Sequence, residues 1–216
     1  MKNIENSELA TTLESHLETG ITPEARTILQ DAIYRILNIG KYISTLFKRG
    51  TTLTIEPTEE LVINEKNIRK SLAKVIQREK DRGNEIEVYI DNDIWNWDAL
   101  KNVTMPKIIK SFTSVIHHFL QTLSHKQIRN EADKLAVQKD WNIAQAWNII
   151  IAGILAGEVD TKGTGIFAYF TLNVDGKDIL FRFNACRDGD GELGVDVFTT
   201  PLDIEWDAGN GTCLSN

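Results

Sequence analysis

The spacing of hydrophobic and polar positions changes rhythm along the chain. Up to about residue 50 it is helical. Leu9, Leu13 and Leu17 recur every four residues behind Ser7, with Gly20 placed to stop the turn in the left-handed region, which predicts a helix over 7–19. Thr22, Pro23 and Glu24 form a second start, a cap followed by a residue suited to the first turn and an acid at the positive end. Ala25, Ile28, Leu29, Ala32, Ile33, Ile36, Leu37, Ile43, Leu46 and Phe47 then share one stripe, closed by Gly50.

Between 51 and 93 the rhythm alternates, turns helical and alternates again. Leu53 and Ile55 alternate with threonines, "EKNIRKSLAKVIQREKDRG" reads as a charged surface helix ending at Gly83, and Ile86, Val88 and Ile90 line one side of "EIEVYID". This order permits a parallel crossover. From 94 to 157 the spacing predicts helices: a short one capped by Asp93, then one opened by Pro106, then a polar helix near 124–139. The second carries Ile108, Phe112, Val115, Ile116, Phe119, Leu120 and Leu123 on one stripe. Last comes an apolar helix over 141–156, in which Gly153 and Gly157 imply close backbone packing.

After residue 164 the period is two, in four runs: "GIFAYFTL", "DILFRFN", "LGVDVF" and "LDIEW". Asp175-Gly176 lies between the first two. An Asp-Gly pair in a two-residue loop favours a type I′ turn, and that turn fixes a register. Val174 faces Lys177, Leu172 faces Ile179, Phe170 faces Phe181 and Ala168 faces Phe183. All the later pairs are apolar on one face, so turn and alternation agree. For Leu193, Val195 and Val197 to join that face, the next connection must hold an odd number of residues, three or five, or carry a bulge. The fold class expected is α+β. A mainly helical region over 1–158, with a small strand–helix–strand element at about 51–93, precedes an acidic antiparallel meander of about four strands over 159–216, packed on the 141–156 helix.

Charge sharpens this division. The net charge is −7. From Val159 onward there are ten Asp and Glu against four Lys and Arg, leaving 21 and 20 in the first 158 residues. Such an acidic region argues against a phosphate-tracking nucleic-acid surface there and suits a basic protein partner or a cation. Two cysteines, Cys186 and Cys213, form no disulfide framework, and no CxxC occurs; the expectation is reduced thiols and a cytoplasmic protein. No apolar leader is visible at the start, and the 15-residue apolar run at 143–157 is shorter than the roughly 20 residues a bilayer span needs, so no membrane association is expected.

Candidate chemistry is sparse. "CRDGDGEL" (186–193) sets Asp188, Asp190 and Glu192 among two glycines. Glycines supply the left-handed positions of a short loop and aspartates are usual neighbours, so the stretch reads as a turn. The competing reading is a calcium site on those three carboxylates, which would be a beginning only, since calcium takes six to eight oxygens. Asp91 and Asp93 follow a strand-like run, where catalytic carboxylates often sit, but an Asx turn and helix cap explain them as well. His117, His118 and His125 fall near one another, with no HExxH or ExxH motif. No nucleophile elbow or phosphate loop is present.

On the side of the meander away from the core lie Phe167, Tyr169 and Thr171, then Leu180, Arg182 and Asn184, then Asp196 and Phe198, then Asp203 and Glu205. Tyr169 faces Arg182, an expected cation–π pair. The preferred function is a binding or adaptor protein without a catalytic motif or cofactor, engaging a protein partner through Tyr169, Arg182, Asp196, Asp203 and Glu205. One alternative is a metal-dependent enzyme whose Asp91, Asp93, Asp188 and Asp190 meet only in the fold. Another is a structural homo-oligomer subunit built on the "IIIAGILAG" helix.

Overall fold

The computed structural model describes residues 44, 46–83, 88–159, 165–187 and 192–215. The chain divides into two units, Met1–Thr45 and Leu46–Asn216. The helices expected over 7–19 and from 22 onward lie outside the described residues, save the end of the second.

That end is a strand. β1 (Phe47–Ile55) contains Phe47, which the helical stripe had claimed, and Phe47 pairs with Phe119. Gly50 marks a bulge, where the register shifts between Arg49 and Thr52. A Cβ on Gly50 would stand 2.7 Å from the His118 ring, so the bulge brings backbone against imidazole. After β2 (Leu61–Val62), the charged helix appears as two segments, α1 (Glu65–Ser71) and α2 (Ala73–Asp81). Asn64 caps α1 through Asn67 N at 2.9 Å, and Gly83, at φ 78°, ends the run. Ile68, Leu72 and Val75 form its buried stripe.

β3 (Tyr89–Ile90) leads into α3 (Asp93–Asn96) and β4 (Thr104–Met105). The helix expected after Pro106 does not form: β5 (Phe112–Phe119) runs there instead. It is bonded to β1 on one side and to the strand Gly211–Ser215 on the other, and it is covered on both faces, with Val115, Ile116 and His117 buried in succession. A strand buried on both faces has no period of two, and its continuous apolar run imitates a helical stripe. The β-branched Thr113, Val115 and Ile116 favour the strand.

β6 (Leu123–Ser124) precedes α4 (His125–Lys134), whose capping box joins Ser124 and Gln127. β7 (Asp140–Trp141) precedes α5 (Ile143–Ala156), capped by Asn142 with Gln145 and ended by Gly157 at φ 89°. β8 (Gly165–Val174) and β9 (Lys177–Arg187) form the expected hairpin, with Val174 on Lys177, Leu172 on Ile179, Phe170 on Phe181 and Ala168 on Phe183. Asp175 and Gly176 both have positive φ, 52° and 78°, as a type I′ turn requires. β10 (Leu193–Thr199) pairs Leu193 with Arg187 and Val197 with Phe183, which leaves the five positions 188–192 between. Positions 188–191 lie outside the described residues.

The fourth run leaves the sheet. Pro201, which has no N–H to offer a ladder, follows β10. β11 (Glu205–Trp206) then pairs with β6 in a separate ribbon. The chain re-enters the sheet as β12 (Gly211–Ser215), antiparallel to β5 and parallel to β8. The eight-stranded sheet therefore runs β1-β5-β12-β8-β9-β10-β3, with β7 also on β8. Pairs β12–β8, β7–β8 and β10–β3 are parallel, so the sheet is mixed. This corrects the fold expected from the sequence: from residue 46 the protein is sheet-dominated, and neither a mainly helical first part nor a free-standing antiparallel meander describes it. β1 and β3 stand at opposite ends of the sheet, so the crossover suggested for them is absent.

α5 covers one face of the sheet. Trp147, Ile150 and Ile154 pack with Ile166, Ala168, Phe170, Phe181 and Phe183 in one core. Gly153 gives Ile166 its room, because a Cβ there would collide with Ile166 Cδ1 and the buried Ile166 side chain would have to shift. The other face carries a second core of Phe47, Phe119, Phe167, Tyr169 and Leu214 beneath Ile128 and Ala132 of α4. Among the described residues no helix is long and apolar enough to cross a membrane.

Candidate binding site at the β3–β10 edge

The second core buries part of the surface the sequence had offered to a partner. Tyr169 is 0% exposed and Arg182 7%. They are cross-strand neighbours, but each meets a different cation–π partner from the one expected. The Arg129 guanidinium lies 5.3 Å from the Tyr169 ring, while Arg182 stacks on Phe198 at 4.9 Å and Trp206 at 5.3 Å. Arg182 also donates to the Thr199 carbonyl at 3.0 Å. Neither side chain presents a docking surface, because α4 and the β6–β11 ribbon cover them. Asp203 and Glu205 are exposed, but their segment has left the sheet, and Glu205 pairs with Ser124.

Asp196 keeps its place on the sheet, and its surroundings form a site. Tyr89 pairs with Gly194 and Ile90 with Val195, and Asp91 N donates to Val195 O at 2.9 Å. This register brings Asp91 alongside Asp196. On the other side Asp196 pairs with Asn184, and Gly194 with Cys186. Side chains alternate along each strand, so Tyr89, Asp91, Asn184, Cys186 and Asp196 share the face away from α5. Burial, then the Asp91 carboxylate, pushes the Asp196 carboxyl up to about 6, against a hydrogen bond from Asn184 that holds it down. The Asn184 carboxamide also lies 3.7 Å from Cys186 Sγ through Nδ2, and its buried Oδ1 has no hydrogen-bond partner.

Gly194 has no side chain, and the space it leaves is part of a cavity of about 280 Å³ bounded by Tyr89, Cys186, Glu192 and Asp196. A larger one, about 540 Å³, shares Tyr89 and Glu192 with it. Its further walls are Glu65 and Arg69 of α1, Val88 and Ile90, and Asn92, Trp95 and Asn96 around α3. Arg69 donates through Nε to Glu65 at 3.0 Å and lies 5.6 Å from the Trp95 ring. Neither the Asn92 nor the Asn96 carboxamide has a hydrogen-bond partner among the described residues. Tyr89 is 57% exposed where the cavities meet. The cleft thus combines aromatic walls, free amides and carboxylates.

The other sequence candidates are dispersed. Asp91 Oδ1 accepts from Asp93 N at 2.9 Å, an Asx turn that starts α3, and Asp93 is exposed. Asp188 and Asp190 lie outside the described residues. Glu192, from the same stretch, lines both cavities. Among the described residues no group of three or more His, Cys, Asp or Glu could hold a metal. The histidines share no helix: His117 and His118 sit on β5, and His125 opens α4. His118 Nε2 lies 3.1 Å from Glu158 Oε2, while His125 bonds to Tyr169 and Trp206.

Sequence reasoning reached Asp196 and Glu192. It also named Asp91 and set Asn184 on the same face as Asp196, but it missed Arg69, Tyr89, Asn92, Trp95 and Asn96. The alternation that turned Val88 and Ile90 inward had already turned Tyr89 outward, and that was the available signal. No family model matches the chain, and no curated protein or solved structure matches it either.

Proposed function

We propose that this chain is a protein-binding module whose acidic and aromatic sheet edge, formed by β3 and β10, engages a basic partner. The observation that carries the reading is the pair of cavities meeting at Tyr89 and Glu192, with Asp196 in the smaller and, in the larger, an Arg69 already held by Trp95 and Glu65. Aromatic faces attract Lys and Arg through their quadrupoles, and carboxylates in a recess add a field that steers cations inward. The net charge of −7 favours the same partners at longer range. A cytoplasmic setting belongs to this proposal, supported by two cysteines that form no disulfide.

Calorimetric titration with an oligolysine peptide at low and moderate salt tests it. Binding should weaken with salt, and Tyr89→Ala or Asp196→Asn should each weaken it by about tenfold, the equivalent of about 1.4 kcal/mol. An oligoglutamate peptide should not bind. If oligolysine does not bind, or binds both variants as tightly as the parent protein, the proposal fails.

A further inference from the structure

The larger cavity contains more than charge. Asn92 and Asn96 are four positions apart around the single turn of α3, a spacing that sets Cβ atoms about 6 Å apart on one side, and both line this cavity. Every second peptide unit of an extended chain repeats at about 6.5 Å, twice the rise per residue. A primary carboxamide offers one acceptor and two donors, enough to take the N–H and C=O of one residue of an extended chain, which point to the same edge. Two such groups in register with alternate residues form a grip on backbone, and neither carboxamide has another hydrogen bond among the described residues.

From this geometry, and resting on the function proposed above, we infer that the partner presents an extended basic segment whose backbone is held by Asn92 and Asn96 while one cationic side chain crosses Tyr89 into the smaller cavity. There Asp196 and Glu192 supply acceptors, and Asn184, whose buried Oδ1 has no hydrogen-bond partner, is the cross-strand neighbour of Asp196. The wall already accommodates a guanidinium: the chain's own Arg69 lies over Trp95 and bonds to Glu65. The volume of about 280 Å³ leaves room for one long side chain, and Gly194 forms part of its wall without adding a side chain to it. The ligand class is thus an extended peptide with Arg or Lys flanked by small residues.

The test uses fluorescence anisotropy with a labelled heptapeptide of alternating glycine and arginine, and with its backbone N-methylated twin. N-methylation removes peptide N–H donors and leaves the charge. The plain peptide should bind, and the twin should bind at least tenfold more weakly. The double variant Asn92→Ala/Asn96→Ala should lose at least tenfold for the plain peptide and little for the twin. Both positions are exposed, and Asn92 makes no side-chain cap bond, so the variant should melt with the parent protein. Equal affinity for both peptides, or an unaffected double variant, overturns the backbone grip while leaving a charge-based binding module standing. Absence of binding by any cationic peptide overturns both.

Discussion

His125 shows how far one residue's surroundings can determine its chemistry. Trp206 Nε1 lies 2.9 Å from His125 Nε2, and an indole N–H can only donate, so Nε2 must carry a lone pair. The ring proton is then on Nδ1, where it donates to the Tyr169 hydroxyl at 2.6 Å. Burial, then Arg182 and Arg129, pulls the His125 imidazole down to about 3 from its ordinary 6.5. Burial likewise brings His117 down to about 4. Both folded values lie below the unfolded one, so on acidification the unfolded chain takes up protons first. The stability these histidines retain at neutral pH falls as pH drops below about 6.5, by up to about 1.4 kcal/mol per pH unit each. Asp196 works the other way: its folded value of about 6 exceeds the ordinary 3.8, so lowering pH from about 6 relieves a cost. Urea melts should therefore show net destabilisation between pH 6.5 and 4.5, and His125→Phe should flatten that slope. Asp196→Asn should raise stability at pH 8 by about 1 kcal/mol or more while weakening binding, a stability–function trade. An unchanged or lower midpoint in that variant would count against a strained carboxylate.

At the scale of elements, what could be read from the sequence follows how each strand is covered. β8 and β9 were legible because Asp175-Gly176 fixed the register and one face is continuously apolar. Gly176 at φ 78° should tolerate no side chain without strain, so Gly176→Val should lower stability by about 1–2 kcal/mol in thermal melts. α5 was legible through its length and apolar run, and Gly153→Leu should cost about 1–3 kcal/mol or more because Ile166 already fills that space. β5 and β12 were not legible. Val115, Ile116 and His117 in the one, and Gly211, Thr212, Cys213 and Leu214 in the other, are buried without alternation, so period-two reasoning has no purchase on them. The site was half legible for a related reason. Asp196 and Glu192 could be placed from the hairpin registers, whereas Asn92, Trp95 and Asn96 reach the cleft only because β3 pairs in parallel with a strand about a hundred positions away.

Across residues 46–216 the two cores share one sheet, and strands from both sides of residue 159 interleave in it. Charge and architecture therefore divide at different places: acidity rises after Val159, while the sheet continues through it. β12 is the last of its neighbours in chain order, yet it lies between β5 and β8. Until residues 211–215 have been synthesised, the growing polypeptide carries two long strands with their facing edges unzipped, a state that invites a chaperone or a sister chain. A chain truncated after residue 210 should be cut readily by proteases, and the 216-residue chain should resist them. The final insertion is a keystone step, and the time β12 takes to seat between its neighbours governs how long the molecule stays sticky.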